Sequence, residues 1–258
     1  MFVYDITNPV PVQKQVIQVT NTYNGIVFDP SGTQFYVSGG RDSNVHIFGL
    51  SGGVWAEQAG SPVSLGISAQ VANPGASNPV SLPGPAASGI AITNDGTKLV
   101  VTNYENDSIS VLTKSGGTWS KTADLDLRPG KINPANSGVP GGAFPFWVSI
   151  VGNSKAFVSC MRDREIDVVD ISGATPLLLA RIALIGQPLK STLNAAQDTL
   201  YVAEDQADLV AVINTSTNPL RKRRKSEPPM ESSRLTGFRS PATTPTAWRL
   251  APTKTHCT

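Results

Sequence analysis

The chain repeats itself, and this internal repeat restricts the possible folds more than any other feature. Four segments of equal length align with one another, and each contains three short apolar runs separated by polar turns. Such repeats are typical of architectures in which one small unit recurs side by side, because a single unit cannot bury its own apolar faces. The segments are GIVFDPSGTQFYVSGGRDSNVHIF (25–48), GIAITNDGTKLVVTNYENDSISVL (89–112), FWVSIVGNSKAFVSCMRDREIDVV (146–169) and KSTLNAAQDTLYVAEDQADLVAVI (190–213).

Each segment predicts three antiparallel strands joined by tight turns. The first turn contains Ser31-Gly32 in one copy and Asp95-Gly96 in another, and these residues tolerate the positive φ that hairpin turns require. When the third runs of the four segments are aligned, two positions are always apolar and the position between them is mostly polar. This alternation is typical of a strand. The apolar columns are Val45, Ile109, Ile166, Val210 and Ile47, Val111, Val168, Val212, and the residues between them are His46, Ser110, Asp167 and Ala211.

A fourth run follows each of the first three segments, and it completes a four-stranded unit. These runs are VWAEQAGSPVSL, TWSKTADLDL and LLLARIALIG. A repeated four-stranded meander favours a β-propeller over a β-sandwich, since a sandwich has no need to repeat its sequence. The 23 glycines and 20 prolines also suit a protein with many turns. We therefore predict an all-β fold, a partial β-propeller of about four blades, each a four-stranded antiparallel meander.

The second strands carry a family resemblance. FYVSG, LVVTN, AFVSC and LYVAE, with the turns before them, resemble the YVTN-type β-propeller repeat of bacterial and archaeal surface-layer and periplasmic proteins. The resemblance covers roughly residues 1–219. It implies a location outside the cytoplasm, although no basic and apolar leader is present in the chain and its compartment stays open. Propellers of this type also resemble lactonase-type enzymes and the propeller part of larger phosphoesterase-like proteins.

The repeat register predicts the domain organisation. The opening FVYDIT aligns with VVDIS at 168–172, so we expect residues 1–20 to be half a blade and the chain to be a truncated array. Full blades are expected at about 21–66, 86–130, 143–186 and 187–219. An incomplete array exposes apolar sheet faces and unpaired edges, so self-association through them is also expected.

The periodic pattern stops after residue 219. Residues 220–258 carry 9 Lys and Arg against 2 Asp and Glu, whereas residues 1–219 carry 12 against 17. Reading the underlying codons in a shifted frame permits LALSPDENTLY, which aligns with IAITNDGTKLV at 90–100. We therefore expect a disordered basic tail that is frameshifted blade sequence, and we expect its basic run to bind no nucleic acid, given the acidic body.

Candidate binding residues lie in the loops that a propeller presents on one face. These are the short turns between second and third strands and two long connections between blades, at 66–88 and 128–145. Solvated turns are the alternative, and the arginines could instead pair with acids of a neighbouring blade. The predicted ligand-binding face consists of Arg41, Asp42, Asn103, Tyr104, Glu105, Asp107, Arg162, Asp163, Arg164, Glu204 and Asp205.

Catalytic and metal-binding patterns are poorly represented. His46 occupies a strand column, which favours a surface or inter-blade residue over a base, and Cys160 is expected to be an inert thiol. The acids of the turns could supply oxygens for calcium, but no dedicated calcium-loop spacing is present. Trp55 and Trp119 occupy equivalent fourth-strand positions and are expected to serve blade packing, with stacking on a sugar or other ligand as the alternative. We therefore predict no catalytic residue, no metal site and no cofactor.

The predicted function is a non-catalytic binding or scaffolding propeller. Its loop-rich face is expected to meet an unknown protein, glycan or small ligand, with no nucleic acid partner and no membrane span. The alternative is that the chain is the propeller fragment of a bacterial enzyme, either a phosphoesterase with a further alkaline-phosphatase-like domain or a lactonase. A lactonase would need acid, base and histidine groups that converge at the central channel.

Overall fold

A computed structural model describes residues 1–66, 71–72, 77, 80–81, 84, 86–217 and 222–224. Nearly all of the described structure is β, and four antiparallel sheets are arranged as a four-blade β-propeller. The predicted fold class is therefore confirmed. The segment predicted to be a disordered basic tail, 220–258, lies outside the described residues except for Lys222–Arg224, which form a strand.

Each blade is an antiparallel sheet whose strands follow one another in chain order. Blade 1 contains β3 (Ile26–Phe28), β4 (Gln34–Ser38), β5 (Asn44–Ser51), β6 (Val54–Glu57) and β7 (Val63–Ser64), the last two both paired with β5. Blade 2 contains β10 (Ala87–Ile92), β11 (Lys98–Asn103), β12 (Ser108–Ser115) and β13 (Thr118–Asp126). Blade 3 contains β14 (Pro145–Val151), β15 (Lys155–Cys160), β16 (Glu165–Asp170) and β17 (Leu177–Ala183). Blade 4 contains β18 (Gln187–Leu193), β19 (Thr199–Asp205), β20 (Leu209–Asn214) and β21 (Lys222–Arg224).

Smaller elements accompany the blades. Strands β1 (Phe2–Asp5) and β2 (Val12–Val16) form a two-stranded sheet, as do β8 (Val71–Ala72) and β9 (Val80–Ser81). The connection from blade 2 to blade 3 contains one helical turn, α1 (Pro129–Ile132), and a 3-10 turn at Pro134–Asn136. No helix among the described residues is long and apolar enough to cross a membrane.

The turns follow the local sequence. Gly32 and Gly96 have φ values of 70° and 69°, as the hairpin sequences predict. The turns between second and third strands end on a left-handed residue in all four blades, and the φ values are 51°, 51°, 54° and 49° for Ser43, Asp107, Arg164 and Asp208. The repeat therefore extends to backbone conformation, because the same turn recurs at the same edge of each of these blades.

The cores lie between neighbouring blades. Tyr36 and Ile47 of blade 1 pack with Leu99 and Trp119 of blade 2, and similar clusters join blade 2 to blade 3 and blade 3 to blade 4. The β1–β2 hairpin packs Val3 and the buried Ile17 against blade 1 in the same way. Burial of one large apolar side chain stabilises a fold by about 1.5–3 kcal/mol. The contacts between neighbouring blades therefore contribute to the stability of each blade.

Candidate functional site

The predicted binding-face residues differ widely in exposure. Six of them are exposed: Arg41, Asp42, Glu105, Arg162, Arg164 and Asp205. Three are partly buried: Tyr104, Asp107 and Asp163. Asn103 and Glu204 are buried, with exposed fractions of 0% and 4%. The face therefore combines accessible charges with polar groups that serve the interior.

The buried residues of this set hold loops in place. Glu204 Oε2 accepts hydrogen bonds from the backbone N–H groups of Ile185 and Gly186, at 2.9 and 2.7 Å. Asn103 Nδ2 donates to the hydroxyls of Ser108 and Ser110, both at 3.0 Å. Glu204 is therefore occupied by the connection beside it, whereas Asn103 is bonded through Nδ2 and its buried Oδ1 has no hydrogen-bond partner among the described residues. Because both side chains are buried, a ligand would meet the neighbouring exposed residues first.

Three carboxylates hold three successive backbone N–H groups at the end of the long connection between blades 2 and 3. The N–H groups of 142–144 donate in turn to Glu165 Oε1 at 2.7 Å, Asp163 Oδ2 at 2.9 Å and Asp107 Oδ1 at 3.0 Å. Hydrogen bonds to charged acceptors contribute about 1.5–3 kcal/mol each. Two predicted face residues, Asp107 and Asp163, therefore fix the loop that enters blade 3.

A buried charge cluster lies beneath that loop. Arg181 Nη1 donates to Glu165 Oε1 at 2.7 Å and to Asp167 Oδ2 at 2.8 Å, and its Nη2 donates to the carbonyl oxygen of Leu127. Burial, reinforced by the charge of Glu165 and opposed by Arg181, raises the pKa of Asp167 well above its ordinary range. Burial and the two carboxylates also raise the pKa of the Cys160 thiol. Part of the sequence signal for this cluster was present, since Asp167 stands between the apolar residues Ile166 and Val168.

An open cleft lies between the turns of blades 1 and 2. Its volume is about 350 Å³, and its lining includes three predicted face residues, Arg41, Tyr104 and Glu105. Burial, together with the nearby Tyr23 and Glu105 groups, raises the pKa of Tyr104, so its hydroxyl stays protonated and can donate a hydrogen bond. The cleft is lined by Asn21, Thr22, Tyr23, Gly40, Arg41, Ala86, Tyr104 and Glu105.

Aromatic rings form a continuous group beside this cleft. The ring of Tyr104 stacks on Phe144, with centroids 5.0 Å apart and planes at 25°. Tyr23, Tyr104 and Phe146 contact one another at centroid distances of 6.1 to 6.3 Å. The guanidinium of Arg162 lies over Phe144, 5.2 Å from the ring centroid. The cleft therefore has an aromatic side that is supported from behind by further rings.

Several parts of this site were not predicted from the sequence. Tyr23 lies in the connection from the first hairpin into blade 1. This connection is shorter than the two long connections, so its length does not indicate a binding loop. Phe144 and Phe146 were within or next to 128–145, but nothing in the sequence shows that their rings meet Tyr104 across blades. The same limit applies to Arg181, which the fold brings to Glu165 from the next strand.

A second concave region runs along the innermost strands of the four blades. It has a volume of about 480 Å³ and is mostly apolar, with Ile26, Ile90, Trp147 and Leu193 in its lining. The ammonium group of Lys190 lies over the indole of Trp147, 4.4 Å from the ring centroid. This region contains none of the residues predicted for the binding face.

The candidate catalytic groups are placed as follows. His46 Nδ1 lies 2.7 Å from Glu57 Oε1, and that carboxylate also accepts a hydrogen bond of 2.6 Å from the Ser61 hydroxyl. Cys160 is fully buried. Among the described residues, no group of three or more His, Cys, Asp or Glu side chains could hold a metal ion. Trp55 and Trp119 contact Phe35 and Tyr36 respectively, at centroid distances of 4.8 and 5.3 Å.

Comparison with known proteins supports the fold alone. No protein-family model matches the chain, and no curated protein matches it. Among solved structures, a protein from Lactobacillus plantarum aligns with a TM-score of 0.66 at 14% identity, over 86% of this chain and 63% of that one. A Bacteroides fragilis protein proposed as a 6-phosphogluconolactonase aligns with a TM-score of 0.60 at 10% identity, over 87% and 63%. The periplasmic gluconolactonase of Pseudomonas aeruginosa aligns with a TM-score of 0.53 at 14% identity, over 74% and 49%. The chain therefore spans less than two thirds of the length of each of these proteins, and the shared feature is the propeller fold.

Proposed function

We propose that this chain is a non-catalytic binding propeller whose loop face receives a ligand in the cleft between blades 1 and 2. The observation that carries the proposal is the cleft itself, in which Tyr23 and Tyr104 lie beside Arg41 and Glu105. Small-molecule sites combine apolar or aromatic walls with a few polar groups, and they have volumes of about 300–1,000 Å³. A volume of about 350 Å³ lies within this range.

The construction of the cleft favours binding without large rearrangement. The backbone N–H of Tyr104 donates to the carbonyl oxygen of Ala86 at 3.1 Å, and that of Ala87 donates to Gly40 at 2.8 Å. These bonds join the walls from two blades into one frame. A preformed site loses less conformational freedom on binding, so more of the contact energy is expressed as affinity.

The finer assignment is part of the same proposal. The strand motifs FYVSG, LVVTN, AFVSC and LYVAE support a YVTN-type propeller, and this type favours a location outside the cytoplasm. The periplasmic gluconolactonase among the similar folds is consistent with such a location. Self-association through apolar blade surfaces belongs to the proposal as well, because Phe2 and Val16 are a cross-strand pair with exposed fractions of 66% and 50%.

A lactonase fragment is the second candidate, and the fold likeness to two gluconolactonase-type proteins favours it. The described residues contain one histidine, His46, which contacts Glu57 on the neighbouring strand. The mostly apolar region along the innermost strands contains one charged residue, Lys190. These contents suit a binding surface better than acid–base chemistry.

Two measurements on the purified chain separate the candidates. Hydrolysis of gluconolactone and of p-nitrophenyl phosphate is compared with the spontaneous rates, and binding is screened on printed arrays of glycans and peptides. The proposal expects array binding that Arg41→Ala weakens, with no hydrolysis above background. Turnover above the spontaneous rate would favour the enzyme, and array binding that Arg41→Ala leaves unchanged would remove this face from the function.

A further inference from the structure

We infer that the cleft between blades 1 and 2 recognises the ring of a neutral sugar. This inference rests on the proposed binding function and adds the chemical class of the ligand. It follows from three properties of the site: an aromatic wall, a pair of opposite charges that have no partner among the described residues, and a small volume. Each of them restricts the ligand separately.

The aromatic wall requires a ligand with an apolar face. Tyr23 is 53% exposed, and Tyr104 is partly exposed and is supported from behind by its stack on Phe144. A flat ring held in this way offers contact area at little entropic cost, since its rotamer is already fixed. A pyranose ring has a face of C–H groups that packs on an aromatic ring, while its hydroxyls project around the rim.

The two charges require a ligand that both donates and accepts hydrogen bonds. Within the part of the chain that the structure describes, neither Arg41 nor Glu105 makes a side-chain hydrogen bond or an ion pair. The guanidinium has only donors and the carboxylate only acceptors. Hydroxyl groups can satisfy both, and a pair of neighbouring hydroxyls matches the two-pronged geometry of each group. A ligand with a net charge would be attracted by one of these groups and repelled by the other.

The volume limits the size of the ligand. About 350 Å³ is near the lower end of ligand-pocket volumes. The back of the cleft is closed tightly, since a Cβ atom on Gly40 would lie 2.0 Å from the carbonyl oxygen of Asn21. One sugar ring, or the terminal ring of a longer glycan, fits these limits. A folded protein partner would need a larger and flatter surface.

A zwitterionic amino acid is the main chemical competitor. Its carboxylate could pair with Arg41 and its ammonium group with Glu105, so the charges alone admit it. The paired rings of Tyr23 and Tyr104 favour the sugar, because most free amino acids have no flat apolar face to cover them. Free amino acids are therefore included in the test as the contrasting ligand class.

The test uses methyl glycosides of common hexoses, which cannot be lactonase substrates because they are not lactones. Saturation-transfer NMR detects binding, and titration gives the dissociation constant. We expect at least one methyl glycoside to bind. Tyr104→Ala should weaken this binding by about tenfold or more, which corresponds to about 1.4 kcal/mol, because it removes the ring on which the C–H face of the sugar packs. Tyr104→Phe, which keeps the ring, should weaken it much less.

Two variants address the polar groups and the controls. Glu105→Gln should weaken glycoside binding by about tenfold, since it removes a charged acceptor. Because Arg41 is exposed, Arg41→Ala tests the site even if Tyr104→Ala does not fold. Tyr201→Ala is the matched control, because Tyr201 is an exposed tyrosine on β19 that does not line the cleft. It should leave the dissociation constant unchanged.

The outcomes distinguish the ligand class from the binding function. If free amino acids bind through Tyr104 and glycosides do not, the sugar inference is overturned while the proposed face stands. If glycosides bind but neither Tyr104→Ala nor Arg41→Ala affects them, the assignment to this cleft is overturned. If no glycoside binds at millimolar concentration, the sugar inference fails, and the array screen then decides the proposed function.

Discussion

Asp107 Oδ1 accepts a hydrogen bond of 3.0 Å from the backbone N–H of Phe144, a bulky residue whose φ is 55°. The left-handed region is rarely adopted by large side chains, and it costs about 1–2 kcal/mol. The stacking of the Phe144 ring on Tyr104 offsets part of this cost. The carboxylate of one blade therefore fixes an unfavourable backbone that supports the aromatic wall of the cleft.

The first prediction concerns this backbone. Phe144→Gly and Phe144→Ala both remove the ring, but glycine adopts φ of 55° without a steric cost. We expect the glycine variant to be more stable than the alanine variant by about 1 kcal/mol, measured as the free energy of unfolding in urea. At most positions glycine is the less stable of the two, so the order itself is informative.

Phe146 provides the control for that comparison. It lies in β14 and its φ is not positive, so glycine has no steric advantage there. There the glycine variant should be the less stable of the pair, by about 0.5–1 kcal/mol. If alanine were the better residue at both positions, the left-handed conformation of Phe144 would be contradicted.

The fold could be predicted from the sequence because the strands of each blade follow one another in one contiguous segment. The alternating pattern around His46 and Ser110 predicts strands within each 24-residue unit, and the turn glycines predict the hairpins between them. Repetition of the unit then favours an array of similar sheets side by side. Only some of the residues that line the cleft could be predicted from the sequence. Arg41, Tyr104 and Glu105 lie in turns of predictable position.

The remaining parts of the site depend on contacts between blades, and the repeat pattern does not predict these contacts. Tyr23 and Phe144 reach Tyr104 from connections whose path a repeat does not define. Asp163 and Glu204 accept hydrogen bonds from loop N–H groups. The sequence does not indicate these bonds, since a charged turn residue is usually solvated. Sequence periodicity therefore locates strands and turns, whereas the partner of a charged side chain needs the tertiary structure.

The second prediction concerns the buried charge cluster. Arg181→Met removes the guanidinium that lies between Glu165 and Asp167. Two buried carboxylates are then left without a cation, and breaking such a pair costs about 3–5 kcal/mol. We expect this loss in the free energy of unfolding at pH 7. Arg128→Met is the control, because its pair with Asp126 is exposed and should contribute less than about 1 kcal/mol.

The same cluster makes a prediction about pH. The pKa of Asp167 is raised in the folded protein, so the folded state binds this proton more tightly than the unfolded chain does. The resulting stabilisation is full below the unfolded pKa of about 3.9 and is lost as the pH rises through the raised value. Arg181 lowers this pKa, so its removal raises the value further, and the variant gains more stability than the wild type when Asp167 is protonated. The defect of Arg181→Met should therefore shrink between pH 7 and pH 4.5. A defect of equal size at both pH values would contradict the burial of Asp167.

The third prediction concerns the thiol of Cys160, which is fully buried and whose pKa is raised by burial and by Asp167 and Glu165. The Cys257→Ser variant leaves Cys160 as the only thiol. In the native state this variant should react with Ellman's reagent only as fast as the protein unfolds, because both access and thiolate are lacking. Addition of urea should release one rapidly reacting thiol, whereas rapid labelling of the native variant would show that the cluster is open to solvent.

The fourth prediction concerns self-association. Phe2 and Val16 face each other across the β1–β2 hairpin, on the side opposite the Val3 side chain that packs on blade 1. Both are largely exposed, and an exposed apolar patch of this kind can be covered by a second copy of the chain. We expect the sedimentation coefficient of the wild-type chain to rise with protein concentration, because a second copy covers this face. Phe2→Glu should reduce that dependence by placing a charge in the contact. Val139→Glu changes an apolar residue of similar exposure (52%) in a loop instead, and it should behave like the wild type. A wild-type chain that sediments as a monomer at all concentrations would contradict self-association through this hairpin.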